Sequence, residues 1–128
     1  MNKSSIRAQV RKNAYQLIKN RTHGTVVNWV KYVEWDFTLT SSENWYETLI
    51  IKDWNLTISE NATNVKWIII LSDNYQFITP TNISKWNIFI KPNVTRIEAV
   101  IYADGWIMSA DSTGSLYIQD SANRTTTL

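Results

Sequence analysis

The chain has 128 residues, with 13 Lys+Arg against 11 Asp+Glu and a net charge of +2. That length suits one modest domain, and so even a balance gives no electrostatic case for a nucleic-acid partner. The absence of cysteine excludes a disulfide framework and a thiolate metal site, and a single histidine, His23, leaves little material for a zinc centre or a catalytic triad.

The N-terminal residues Met1 to Ser5 lead into a charged segment rather than an apolar one. An export signal is therefore not expected within this stretch, and an exported protein would carry it upstream. Residues 4–21 read as an amphipathic helix. Ser4 or Ser5 serves as N-cap, Ile6, Val10, Ala14, Leu17 and Ile18 form one face, and Arg7, Arg11, Lys12 and Lys19 occupy the rest. Gly24 is the expected stop.

From Thr25 onward the pattern changes to short runs rich in Ile, Val, Thr and aromatics. Expected strands are 26–33, 36–40, 48–52, 55–59, 65–71, 75–78, 87–91, 97–102, 106–109 and 116–119. The longest uninterrupted apolar run, Trp67 to Leu71, is far below the ~20 residues of a membrane span. No Asn-Gly dipeptide marks a hairpin.

The text repeats itself. Residues 54–65, beginning Trp54-Asn55-Leu56-Thr57-Ile58, align with residues 86–97, beginning Trp86-Asn87-Ile88-Phe89-Ile90, without a gap. Residues 34–39 echo 53–58. Steps of about 19 to 20 residues suit one coil of a β-solenoid, although the longer offset is not a whole number of such coils. The expectation is a mainly β chain: a right-handed parallel β-helix over residues 25–128, continuing past residue 128, with residues 1–24 forming a helix and turn. The helix would cap the apolar end of the solenoid. The other reading of its basic face is docking on an acidic membrane surface.

Tryptophan is abundant at 7 and glycine scarce at 3, where average usage of ~7% would give about 9 glycines. Trp29, Trp35, Trp45, Trp54, Trp67, Trp86 and Trp106 follow Asn28, Glu34, Asn44, Asp53, Lys66, Lys85 and Gly105. These neighbours belong to turns, where positive φ is often needed and a bulky residue is strained. Read as glycine, the seven positions become ordinary turn dipeptides such as Asn-Gly and Asp-Gly. The expectation is that all seven are glycine-like turn positions, decoded from UGA under the wrong code table. Two other readings stand beside it: core-filling tryptophans, or an exposed ladder (Trp54, Trp86 and Trp106) that stacks on sugar rings.

Residues 6–13 followed by 30–34 look like the opening of a β-helical region. Thr48 to Ile58 resembles an "IVKDGNxTI" motif, with Trp54 in the glycine place, and Asn87 to Gly105 resembles a second motif of the same proteins. These are uncharacterised β-helical surface-type proteins of ultrasmall candidate-phylum bacteria, some of which read UGA as glycine. The resemblance implies a β-helix at the cell surface or outside the cell, and no activity.

Residues suited to chemistry are few. Asp53, Asp73 and Asp104 are candidates to stack at equivalent turns, either as a carboxylate cluster or because Asp favours the turn conformation. There is no phosphate loop, no nucleophile elbow and no calcium-roll repeat, so no catalytic residue, metal or cofactor is expected. Seven Asn-x-Ser/Thr sequons, at Asn2, Asn20, Asn55, Asn61, Asn82, Asn93 and Asn123, follow from an Asn- and Thr-rich composition. Three functional classes remain: a structural or interaction segment of a bacterial surface protein, meeting surface polysaccharide or other surface proteins; a carbohydrate-binding module; and a polysaccharide-active enzyme.

Overall fold

The computed structural model describes residues 3–43, 45–73, 85–110, 116–119 and 124–126, with side chains for 6–43, 45–73 and 85–109. The chain is mainly β, with one helix, α1 (Lys3–Ile18), at the N-terminus. Among the described residues eleven strands follow: β1 (Thr25–Val27), β2 (Val30–Val33), β3 (Phe37–Leu39), β4 (Thr48–Lys52), β5 (Leu56–Ile58), β6 (Trp67–Leu71), β7 (Ile88–Ile90), β8 (Ala99–Ala103), β9 (Ile107–Ala110), β10 (Leu116–Gln119) and β11 (Arg124–Thr126). The expected strand at 75–78 lies outside the described residues.

The strands form two sheets, ordered β1-β2-β4-β6-β8-β11 and β10-β9-β7-β5-β3. From β2 to β9 the chain alternates between them, and within each sheet these strands are parallel. The links from the second sheet back to the first, residues 40–47, 59–66 and 91–98, are eight residues long in each case. Antiparallel strands finish three sheet edges: β1 on β2, β11 on β8 and β10 on β9. Such strands are not expected from an all-parallel reading, and the polar C-terminal stretch concealed β11.

The apolar text differs between the sheets because their burial differs. In β4 and β6 nearly every position is buried, including the consecutive Leu49-Ile50-Ile51 and Ile68-Ile69-Ile70-Leu71. Continuous apolar runs are what a parallel strand covered on both faces requires. One face (Leu49, Ile51, Ile68, Ile70, Ile101, Ala103) meets the second sheet. The other (Tyr32, Ile50, Ile69, Leu71, Tyr102) meets α1. In β5 and β7 burial alternates, with Leu56, Ile58, Ile88 and Ile90 inward and Thr57 and Phe89 half-buried, the signature of one-sided packing.

The helix therefore lies across the outer face of the larger sheet, over β2, β4, β6 and β8. This corrects the expectation that it covers an end. The apolar strip on that face needs a cover and the helix supplies it. Ala14 and Ile18 are buried there, with Val10 and Tyr15 partly so, whereas Leu17 is exposed. Arg11, expected on the solvent side, is buried. The helix ends before Asn20, which takes φ 64, the left-handed conformation typical of a helix stop. Gly24, the expected stop, has φ 87 and donates its N–H to the Tyr32 carbonyl in the turn that enters β1.

The gapless alignment of 54–65 with 86–97 holds where the strands pair, with Leu56 opposite Ile88 and Ile58 opposite Ile90. It slips afterwards: Ala62 bridges to Ile97 rather than to Val94. Register partners are offset by 19 residues between β3 and β5 and between β7 and β9, and by 32 between β5 and β7. The longer offset is thus a single step with extra chain between β6 and β7.

Candidate functional site: the turn ladder, its tryptophans and the aspartates

The turns that carry the chain from the first sheet to the second hold a column of side-chain bonds. Asp36 Oδ1 accepts the backbone N–H of Asn55 at 2.9 Å, Asn55 Oδ1 accepts that of Asn87 at 3.0 Å, and Asn87 Oδ1 accepts that of Trp106 at 2.8 Å. Backbone bonds run beside it, from Phe37 N–H to Asn55 O, Leu56 N–H to Asn87 O and Ile88 N–H to Trp106 O. Short carboxyl and amide side chains suit this place because they reach a neighbouring backbone donor without leaving the turn. The column satisfies turn donors where no strand partner exists. Asn87 is fully buried within it. The visible signal was the recurrence of Asp or Asn directly after Trp, which reads from sequence as turn chemistry alone.

One residue earlier stand Trp35, Trp54, Trp86 and Gly105. At Gly105 a Cβ would collide with Asn87 Oδ1 and lie 2.6 Å from the Trp86 carbonyl oxygen. Trp86 adopts φ 65, a region that costs an L-residue roughly 1–2 kcal/mol. Trp29 occupies a second such place. Val27 pairs with Val30, so Asn28-Trp29 is a two-residue hairpin turn, and both residues have positive φ, at 53 and 63. That is the requirement of a type I′ turn, whose preferred pair is Asn-Gly. The hairpin signal was present, with tryptophan in the glycine position. Trp67 differs: it opens β6 rather than a turn. Trp45 lies in a turn, edge-on to Trp29 with ring centroids 6.3 Å apart.

The three tryptophans considered for sugar stacking do share the ladder edge, but they are presented unequally. Trp54 is exposed, with Lys85 Nζ 4.8 Å from its ring centroid. Trp86 is partly buried against the core, and its indole N–H donates to Asp53 Oδ1 at 3.2 Å. Trp106 is half-buried.

The three aspartates separate. Asp53 and Asp73 are near enough to influence each other's charge, with Lys52 Nζ 3.3 Å from Asp73. Burial raises the Asp53 carboxyl above the ordinary range. The indole bond from Trp86 and the Lys52 charge oppose this, and Asp73 adds to it. For Lys52, burial acts to lower the ammonium's affinity for its proton, but the bond to Asp73 and the surrounding carboxylates carry it above its usual value. Asp104 lies elsewhere, buried against α1. It accepts from Arg11, from the Tyr102 hydroxyl and from the Ser72 N–H, the last at 2.7 Å.

A paired carboxylate can exchange a proton, but Lys52 and Trp86 already engage both members. Among the described residues no group of three or more His, Cys, Asp or Glu could hold a metal ion, and no helix is long and apolar enough to cross a membrane. The sequon asparagines Asn55, Asn61 and Asn93 use their side chains within turns. Asn61 Oδ1 accepts the Thr95 and Arg96 N–H groups, and Asn93 Nδ2 donates to the Ser59 carbonyl. No family model, curated protein or solved structure matches the chain.

Proposed function

We propose that this chain is a segment of a right-handed parallel β-helix that serves as a structural and interaction element of a bacterial surface or extracellular protein. The observation that carries this reading is the Asp36–Asn55–Asn87–Trp106 ladder, which runs beside two stacks of parallel strands entered alternately by the chain. A column of bonds linking successive turns suits an element that extends by adding coils. The right hand follows from the general rule for parallel crossovers. The surface location rests on the resemblance of the 48–58 and 87–105 segments to β-helical surface proteins. Labelling of intact cells of the source organism with an antibody to this chain tests the location: surface signal is expected, and signal only after lysis would overturn it.

The ladder-edge tryptophans and Trp29 are read here as glycine positions. Support comes from the left-handed φ of Trp29 and Trp86 and from Gly105 standing in series with Trp35, Trp54 and Trp86. UGA codons at these positions are expected in the source DNA, and UGG codons would refute the reading. One observation favours a second function, the outward exposure of Trp54 on the ladder edge, which suits stacking on a sugar ring. Glycan-array binding abolished by Trp54→Ala would establish it in place of the scaffold role.

A further inference from the structure

The contact between α1 and the larger sheet is built unlike the core between the sheets. Ala14 and Ile18 are the helix's buried apolar residues, and Ala14 is small. A groove of about 280 Å³ opens between helix and sheet, lined by Val10, Leu17, Thr48, Trp67 and Ile69 among others. A second, of about 240 Å³, lies along Ile6, Val100 and Tyr102. Side chains that line such open grooves lack the dispersion contacts that a filled interface would give them.

Beside the apolar contacts of Ala14 and Ile18, the polar bonds that hold the helix concentrate, among the described residues, at one place. Arg11 pairs with Asp104, 93 residues away, and donates a second bond to the Ser72 carbonyl at 2.8 Å. Tyr15 donates to the same carbonyl at 2.7 Å, and Arg7 lies 3.7 Å from Asp104. Ser72 and Asp104 sit just past the ends of β6 and β8, so one cluster of bonds pins the helix to the sheet's rim. A buried ion pair adds little net stability, because desolvation offsets its attraction, yet removing one partner is costly.

We propose that α1 is a reversible latch. The Arg11–Asp104–Ser72 cluster holds it shut, and its opening, without loss of the sheets, bares the apolar strip of Tyr32, Ile50, Ile69, Leu71 and Tyr102. Such local opening below the global unfolding free energy is a known property of weakly packed elements.

Hydrogen exchange on the intact chain tests this, resolved by segment. In the unaltered protein the α1 amides exchange through an opening that leaves β4 and β6 protected. One common rate for α1, β4 and β6 would overturn the proposal. Arg11→Ala accelerates α1 exchange on the order of a hundredfold, leaves β4 and β6 protected, and raises binding of a dye specific for apolar surface. Asp104→Asn, which keeps an acceptor for the Ser72 N–H, shifts α1 in the same direction. Unchanged α1 exchange in Arg11→Ala, or loss of protection throughout the chain, would show that the helix is not a separable latch.

Discussion

The side-chain oxygen of Asn55 accepts the backbone N–H of Asn87 at 3.0 Å, across 32 positions of sequence. That bond places β5 and β7 in register despite the extra chain between β6 and β7, and it sits in the middle of a column that begins at Asp36 and ends at Trp106. If the column holds the turns together, its members should differ in value according to burial.

Asn87 is the member with most to lose. Replacing it by Ala removes a fully buried amide and leaves the half-buried Trp106 N–H without its acceptor, at a cost of about 1–3 kcal/mol. Asn55→Asp keeps an oxygen at a half-buried place and should cost less, since Asp36 already performs this role. Urea denaturation of both variants checks the order, and equal midpoints would contradict it.

The tryptophans give a comparison with opposite signs. Trp29 is exposed and has φ 63 in a two-residue hairpin turn. Trp29→Gly should therefore stabilise the chain by about 1 kcal/mol, the strain released exceeding the backbone entropy lost. Trp67 opens a strand with no such strain, and Trp67→Gly should destabilise by about 1 kcal/mol. Thermal melts of the two variants decide, and a shared sign would refute the backbone explanation.

Asp53 supplies an acid-side prediction. Burial, with Asp73 beside it, raises its folded-state pKa above the unfolded value, so the folded chain holds this proton more tightly. Its contribution is then fully present below the unfolded pKa, about 3.9, and is lost as pH rises through the folded one. At neutral pH Asp53→Asn, which retains an oxygen for the Trp86 indole, should melt higher than the unaltered chain. The difference should close on acidification below about pH 4. A difference that grows in acid would contradict the sign.

The alkaline side follows from tyrosines. Burial raises the phenols of Tyr15, Tyr32 and Tyr46, with the Glu34 carboxylate adding to the effect at Tyr32 and that of Glu43 at Tyr46. Their contribution is intact below about pH 10 and falls as pH rises beyond it, because the unfolded chain ionises first. Tyr46 is fully buried, and among the described residues its hydroxyl has no hydrogen-bond partner. Tyr46→Phe should accordingly lose little stability at pH 7 and soften the alkaline decline, which melts from pH 8 to 11 would register.

Much of this was legible in the text and some was not, for identifiable reasons. Strand positions were readable because Ile and Val runs dictate them. The double-sided burial of β4 and β6 was also written in their uninterrupted apolar residues, yet those runs do not say what covers the outer face, so α1 was expected at an end. Arg11 looked like a solvent residue because its partner, Asp104, lies 93 positions away. The β1–β2 hairpin was half visible: Trp29 read as glycine gives an Asn-Gly turn pair, yet the apolar run 26–33 was expected as one strand, and only the backbone shows the two-residue turn that splits it. The ladder was half visible: Asp36, Asn55 and Asn87 each follow a tryptophan, but only register turns three isolated turn residues into a column.

The central claim is that β3, β5, β7 and β9 lie parallel and in the registers that the ladder imposes, and NMR tests it most directly. Nuclear Overhauser spectra should connect amide protons with α-protons between Thr57 and Phe89 and their neighbours, and likewise between Phe89 and Met108. Short α-proton to α-proton contacts across these pairs, the mark of antiparallel strands, or contacts displaced by one residue, would contradict it.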